Sequence, residues 1–137
     1  MEYKFTFEGR EYKLNEENLD YFVNDEENPI NNITEKEILD ILEGRDLDFE
    51  KAYYSSPCSK CDSGEKNKLK AYPFYEYHFY LYTKNRNVVW NSFKVEEESY
   101  SFTRMEREGK ADDSYIVSVI ICAECGNYEI EIEQFEV

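Results

Sequence analysis

The sequence predicts an α+β fold dominated by an antiparallel sheet, with two short helices near the N-terminus. After Leu47, apolar and polar residues alternate almost continuously, as in strands with one buried face. Helical spacing of apolar residues is confined to the region between residues 15 and 45. The chain also contains 13 Tyr and 9 Phe, and aromatic residues favour strands.

A single domain is expected over residues 1–137, because a chain of this length buries roughly two-thirds of its unfolded surface. Residues 1–45 should supply an N-terminal hairpin and two helices, and residues 46–137 the sheet. The hairpin follows from the alternation in Tyr3–Phe7, the turn sequence Glu8-Gly9-Arg10, and the apolar Tyr12 and Leu14.

Two helix starts follow the hairpin. Asn15 is a typical N-cap, and Leu19 and Phe22 after it have helical spacing. Thr34 and Glu37 fit a capping box, with Gly44 where a helix commonly ends. The buried stripe of the second helix is expected to contain Ile38, Ile41 and Leu42.

The rest of the chain is expected to form an antiparallel meander. A strand at Leu47–Tyr54 precedes five further segments, which are Tyr75–Leu81, Val88–Val95, Tyr100–Met105, Tyr115–Ile121 and Tyr128–Ile132. Turn residues separate these segments.

Four cysteines form two Cys-x-x-Cys pairs, Cys58 with Cys61 and Cys122 with Cys125. Four thiolates of this kind hold Zn²⁺ tetrahedrally in structural sites. Sixty residues separate the pairs, but an even number of antiparallel strands returns the chain to the end of the sheet where it started. Four strand segments lie between the pairs, so the sequence predicts one structural Zn²⁺ bound by all four cysteines.

Two other interpretations of the cysteines stay open. Redox activity needs a Cys-x-x-Cys at the start of a helix, and neither pair precedes a helical pattern. The cysteines could also be unliganded core residues. His78, the one histidine, is a conceivable acid or base, but no motif places a Ser, Cys or Asp beside it, so a solvated or hydrogen-bonded histidine is expected.

The net charge of −15 opposes non-specific binding to nucleic acid. Residues 58–87 are the exception, with 3 acids and 6 bases. The basic residues near the first cysteine pair are Lys60, Lys66, Lys68 and Lys70. They are expected to pair with carboxylates in a solvated loop, and a nucleic-acid contact is the alternative.

The aromatic run from Tyr72 to Tyr82 presents two faces. One face must belong to the core. The other, with Phe74, Tyr80 and Tyr82, is expected to pack beneath helices, and an exposed surface for a partner or for stacked bases is the alternative.

The residues Cys58, Cys61, Cys122, Cys125 and Gly126 resemble the knuckles of zinc-ribbon proteins. That resemblance covers about a fifth of the chain and implies one structural zinc and a role in protein or nucleic-acid contacts. In the first knuckle Asp62 stands where the second has Gly126. The whole chain also resembles a small family of uncharacterised proteins from clostridia and their relatives, which implies no known activity.

These observations together predict a non-enzymatic, zinc-stabilised binding or regulatory module that acts through protein contacts. The alternatives are a nucleic-acid-contacting zinc-ribbon protein and a small redox enzyme. No apolar run approaches the roughly 20 residues of a membrane helix, and no signal-peptide pattern is present, so a cytoplasmic location in a bacterium is expected.

Overall fold

The computed structural model describes residues 3–7, 9–43, 45, 47–54, 72–123 and 125–135. These residues form mostly β-sheet with few helices. The strands are β1 (Tyr3–Phe7), β2 (Arg10–Leu14), β3 (Leu19–Val23), β4 (Glu50–Tyr54), β5 (Tyr72–Lys84), β6 (Asn87–Asn91), β7 (Asp113–Cys122) and β8 (Tyr128–Gln134). The helices are α1 (Glu35–Leu42), α2 (Ser92–Glu97) and α3 (Phe102–Arg107).

The strands form two sheets. Strands β1 and β2 pair antiparallel as the predicted hairpin. The second sheet has the order β3-β8-β7-β5-β4, with β6 also paired to β5. The chain therefore does not follow the predicted meander, in which neighbours in sequence would be neighbours in the sheet.

The larger sheet is mixed and not purely antiparallel. Strands β4 and β6 both run antiparallel to β5. Strand β3, however, runs parallel to β8, because Asn18 bonds Gly126 just before both strands and Asp25 bonds Gln134 at their other ends. The prediction of an antiparallel sheet holds for most pairs and is wrong for this one.

The helix predicted after Asn15 is replaced by a single 3₁₀ turn and a strand. Asn15 does cap this turn, since its side chain accepts hydrogen bonds from the backbone N–H groups of Glu17 and Asn18. The chain then becomes extended at Leu19 and continues as β3. The N-cap signal was correct, but pairing with β8 determines the conformation of the following residues.

The second predicted helix is confirmed as α1. The Glu37 carboxylate accepts a hydrogen bond of 2.8 Å from the Thr34 backbone N–H, as a capping box requires. Ile38 and Leu42 are fully buried as expected, Leu39 is buried as well, and Ile41 is half-buried. Gly44, the expected end of the helix, lies outside the described residues.

Two predicted strand segments are partly or wholly helical. The segment Val88–Val95 is a strand only as far as Asn91, whose side chain accepts from the Lys94 N–H and starts α2. The segment Tyr100–Met105 is not a strand, because Ser101 caps α3 in the same way through the Arg104 N–H. Polar capping side chains override the alternation in these segments.

The described residues fall into two compact units. The first unit contains residues 1–22, 34–77 and 119–130, and the second contains residues 23–33, 78–118 and 131–137. Residues of β5, β7 and β8 contribute to both. In the first unit the buried core side chains include Tyr3, Tyr12, Leu14, Ile38, Leu39, Leu42, Phe49, Tyr75, Val119, Ile120, Ile121, Cys122, Tyr128 and Ile130.

The second unit has its own buried residues. Phe79, Leu81, Tyr115, Val117 and Ile132 have no exposed surface. On α2 and α3, Val95 and Met105 cluster with Tyr82 and Ala111. The part of the chain that the structure describes has no helix of the length and apolarity that crossing a membrane requires.

The phenol of Tyr128 should make the stability of the fold sensitive to alkaline pH. Its hydroxyl donates a hydrogen bond of 3.0 Å to the Asn15 carbonyl, and the side chain is 1% exposed. Burial, assisted by the charges of Glu35 and Glu16, raises the pKa of Tyr128 above its usual value. Because the folded pKa lies above the unfolded one, this stabilisation is complete below about pH 10 and is lost as the pH rises further.

We expect Tyr128→Phe to lower the free energy of unfolding by about 1 kcal/mol at neutral pH, since the Asn15 carbonyl loses its donor. The fall in stability between about pH 10 and 11 should be shallower in the variant than in the wild type. Urea unfolding at both pH values measures this, with Tyr21→Phe as a control at an exposed position. Identical pH profiles for Tyr128→Phe and the wild type would contradict the assignment.

Candidate metal centre

The second cysteine pair lies on the tight turn between β7 and β8. Cys122 is the last residue of β7 and is 2% exposed, whereas Cys125 in the turn is exposed. Gly126 has a φ of +80°, in the left-handed region that glycine adopts without strain. A buried and an exposed thiol are thus held three residues apart on one turn.

Backbone hydrogen bonds define the shape of this turn. The Cys122 N–H bonds the Asn127 carbonyl at 2.9 Å, and the Gly126 N–H bonds the Cys122 carbonyl at 3.0 Å. The Asn127 N–H points to the Cys125 Sγ at 3.5 Å. A backbone N–H directed at sulfur stabilises the thiolate over the thiol, and metals bind the thiolate.

Three side chains from the N-terminal part of the chain also bond this turn. The Ala123 carbonyl, between the two cysteines, accepts hydrogen bonds of 2.9 Å from Arg10 Nη1 and from the Tyr12 hydroxyl. The Asn18 amide donates to the Gly126 carbonyl at 3.1 Å. Sequence reasoning missed all three residues, because only their position in the fold relates them to the cysteines.

The first cysteine pair, Cys58 and Cys61, lies outside the described residues, but the strands before and after it are described. Tyr54 at the end of β4 pairs with Tyr72 at the start of β5. The next residue, Pro73, accepts a hydrogen bond of 3.3 Å from the Ala123 N–H. The described chain therefore resumes after the first pair beside the turn that carries the second pair, and β4, which precedes the first pair, ends opposite this point of β5.

The number of strands that was predicted between the two cysteine pairs was nevertheless wrong. Among the described residues, three strands, β5, β6 and β7, lie between the pairs, and α3 takes the place of the strand expected at Tyr100–Met105. The chain returns because β5 and β7 are antiparallel neighbours: Pro73 is bonded to Ala123 at one end, and Thr83 to Asp112 at the other.

A complete metal-binding group does not occur among the described residues, where no three His, Cys, Asp or Glu side chains are placed so that they could hold a metal ion. Only two of the four predicted thiol ligands, Cys122 and Cys125, belong to that part of the chain. The basic side chains of the predicted nucleic-acid contact, Lys60, Lys66, Lys68 and Lys70, also lie outside it.

His78 has a serine beside it that no sequence motif revealed. The Ser118 Oγ on β7 lies 2.8 Å from the His78 Nδ1 on β5, at an exposed position. The prediction of a solvated or hydrogen-bonded histidine is confirmed. Ser118 is forty residues from His78 in the sequence, and the register between β5 and β7 brings the two side chains together. Only that register could have revealed this contact.

The second face of the Tyr72–Tyr82 run is largely covered. Tyr82 is 7% exposed and packs with Val95 of α2 and Met105 of α3, while Phe74 and Tyr80 are half-buried. Tyr82 thus packs beneath helices, as predicted. Those helices are α2 and α3, which the sequence analysis did not anticipate, and not the N-terminal ones.

The second unit contains an acidic groove with a volume of about 660 Å³. Its carboxylates are Asp25, Glu27, Glu106, Asp112 and Asp113. The Asp25 carboxylate accepts hydrogen bonds of 2.8 Å from the backbone N–H groups of Gln134 and Asn28, and these bonds lower the pKa of Asp25. Asp25 therefore ties the loop after β3 to the end of β8.

Fold and site together define a small, mostly β protein with a Cys-x-x-Cys turn at one end of its larger sheet. The chain belongs to the family described as "Protein of unknown function (DUF3785)", whose model matches residues 3–137. The description agrees with the expected uncharacterised family and does not include a zinc ribbon. No curated protein and no solved structure matches the chain significantly.

The effect of substituting Gly126 on stability should depend on backbone conformation and not on the space available for a side chain. A Cβ added there would lie 3.8 Å from the nearest atom, in Tyr12, which is an ordinary contact. We expect Gly126→Ala to lower the free energy of unfolding by about 1 kcal/mol, because L-residues are strained at this φ, and Gly126→Asn to cost less. Gly109, with φ +74° and open space around it, supplies the matched control variant Gly109→Ala.

Unfolding by urea would compare the three variants. Equal stability of Gly126→Ala and the wild type would show that the turn does not need the left-handed conformation.

Proposed function

We propose that this protein is a zinc-stabilised binding or regulatory module in which Cys58, Cys61, Cys122 and Cys125 bind one structural Zn²⁺. The observation that carries the proposal is the hydrogen bond between the Ala123 N–H and the Pro73 carbonyl, together with the pairing of Tyr54 and Tyr72. Pro73, which follows the first pair, therefore lies beside the turn of the second pair, and Tyr54, which precedes the first pair, lies one strand further away.

Chain length allows the two pairs to meet. Cys58 follows Tyr54 by four residues, and an extended chain spans at most about 3.6 Å per residue, or roughly 14 Å in all. Tyr54 lies opposite Tyr72, the neighbour of the residue bonded to Ala123. Strand β4 is separated from β7 by two strand spacings, or about 10 Å, which is shorter than this reach.

The chemistry of the second pair suits a thiophilic metal. Zn²⁺ is held by sulfur at about 2.3 Å in tetrahedral structural sites. Cys125 already receives a backbone N–H bond, and Gly126 adopts the conformation that lets the chain turn away after the second ligand. Four protein thiolates fill a tetrahedral ion, so the proposed role of the metal is to stabilise the fold and not to activate water.

We expect one zinc per chain in protein purified under reducing conditions, measured by elemental analysis. Cys122→Ser and Cys58→Ser should each lose the metal, and strong chelation should lower the melting temperature of the wild type. Metal binding is coupled to folding, so both effects have the same physical origin. Ser101→Ala, which removes only the cap of α3, is a control expected to keep its zinc.

A clear absence of bound metal in reduced protein would rule out this proposal. Full stability after chelation, combined with a thiolate that reacts with iodoacetamide at neutral pH, would instead favour the redox interpretation.

We propose that the protein acts by contacting another protein through its exposed surface. Val88 and Val89 of β6 are 38% and 45% exposed, and we infer that a contacting protein covers these apolar side chains.

Nucleic-acid contact is the second candidate, and one described feature favours it. Tyr53 on β4 is 61% exposed, and the Lys51 ammonium lies 5.7 Å from the centre of its ring. This aromatic and basic pair directly precedes the segment that contains Lys60, Lys66, Lys68 and Lys70. Bases stack on exposed aromatic rings, and lysines neutralise phosphates.

Fluorescence anisotropy with single- and double-stranded oligonucleotides would test the second candidate. If it is correct, binding appears at low salt, weakens as salt is raised, and weakens further by about 1–3 kcal/mol for Tyr53→Ala. Tyr21→Ala removes a comparably exposed tyrosine from β3 and is the matched control. An absence of binding at low salt excludes this candidate and leaves the zinc proposal unaffected.

A further inference from the structure

The loop of residues 24–32, between β3 and α1, is closed on itself by the side chain of Asn24. The Asn24 Oδ1 accepts a hydrogen bond of 3.1 Å from the Ile30 N–H, and its Nδ2 donates to the Ile30 carbonyl at 2.9 Å. Within the same loop, the Asp25 Oδ1 accepts from the Asn28 N–H at 2.8 Å. The loop therefore has an internal network of hydrogen bonds that does not involve the rest of the fold.

A second set of hydrogen bonds ties this loop to the remainder of the second unit. The Asp25 Oδ2 accepts from the backbone N–H of Gln134, the last residue of β8, at 2.8 Å. The Asn31 N–H donates to the Arg86 carbonyl at 2.7 Å. Asn28 makes three further bonds, to the side chains of Gln134, Arg86 and Tyr115. Polar contacts thus hold the loop in place.

Apolar burial contributes little to holding the loop. Of residues 24–32, only Ile30 is buried. Segments with few buried apolar contacts open locally at a lower free energy than the strands of the core. The loop can therefore leave its place without the unfolding of the sheet.

The same loop forms part of the acidic groove. Asp25, Glu27 and Asn28 line the groove from the loop. The other carboxylates that line it, on α3 and on the chain leading into β7, are Glu106, Asp112 and Asp113. Like charges repel, so charge opposes the closed position of the loop and the hydrogen bonds maintain it.

We propose that the loop of residues 24–32 is a flap, latched to the end of β8 by the Asp25 carboxylate, that opens and closes one wall of the acidic groove. The bonds of Asn24 let the flap move as a unit. Access to the groove then depends on a single side chain, and this inference is independent of the proposed zinc site.

Asp25→Asn separates the latch from the internal bonds of the flap. The asparagine keeps an Oδ1 that accepts within the loop, but it presents an NH₂ group, which cannot accept, to the Gln134 N–H. We expect amide hydrogen exchange at Asn31, followed by NMR on the whole chain, to become about tenfold faster, because a hydrogen bond to a charged group is lost. The Asn31 N–H bonds Arg86 and not Asp25, so it reports movement of the loop.

Glu27→Gln is the matched control. It removes one negative charge from the same loop and the same groove, and Glu27 contributes its backbone N–H, not its carboxylate, to the bond with Asp25. Because the substitution reduces repulsion across the groove, exchange at Asn31 should be unchanged or slower. Opposite effects of the same change in charge would identify the hydrogen bond of Asp25 as the cause.

Acidification of the wild type is a second measurement, which does not depend on the folding of a variant. The N–H groups of Gln134 and Asn28 lower the pKa of Asp25, so the latch is complete above about pH 4 and is lost as the pH falls further. The charged and titratable groups around Asp25 are Glu27, Arg86, Glu106, Asp112, Asp113 and Tyr115. Protonation of the other carboxylates removes repulsion and favours the closed flap, so a loss of protection at Asn31 in this range belongs to Asp25.

Faster exchange at Asn31, with unchanged exchange at Ile30 and at Val117 of β7, supports the flap. The Ile30 N–H is bonded within the loop, and Val117 belongs to the core. Acceleration at Ile30 or Val117 equal to that at Asn31 would mean that the loop or the whole fold unfolds, and either result overturns the inference. Protection of Asn31 that persists in Asp25→Asn, or in the wild type down to about pH 3, overturns it as well.

Discussion

The pairing of β7 with a strand on each side is the constraint on which most of the structure depends. Tyr115, Val117, Val119 and Ile121 on one face of β7 have no exposed surface. The other face is also largely covered, with Ser114, Ile120 and Cys122 buried. The two faces still differ, because Ile116 and Ser118 on the second face are only half-buried, so a shift by one residue would move fully buried side chains into half-exposed positions. The observed register places Ser118 beside His78 and Ala123 beside Pro73.

Much of this sheet could be predicted from the sequence, and the failures have a common cause. The alternation in β7 and β8 is strong, and the buried residues there are the expected ones. The errors occur where local signals were weak or shared by two structures. Leu19 and Phe22 fit a helix as well as a strand, and only pairing with β8 decides between them. In Tyr100–Met105 the alternation was misleading, because the capping bond of Ser101 starts a helix.

Only the local part of the candidate site could be predicted from the sequence. The second Cys-x-x-Cys turn and the conformation of Gly126 follow from local sequence, because glycine is the residue that most readily adopts the positive φ found after the second cysteine. Arg10, Tyr12 and Asn18 could not be found in this way, since more than a hundred residues separate them from the turn that they contact. A long-range contact of this type leaves no periodic or spacing signal in a single sequence.

The chain that borders the first cysteine pair lies near the second pair for a reason other than the one that the sequence suggested. The expected meeting of the cysteine pairs was based on counting strands, and that count was wrong. What brings the flanking chain together is that β5 and β7 are antiparallel neighbours, so the start of β5 lies at the end of β7 however many elements connect them. An insertion of α2 and α3 between these strands changes the path of the chain without moving either end. The position of the proposed site thus depends on one strand pair, which makes it independent of the connecting segment that the sequence described least well.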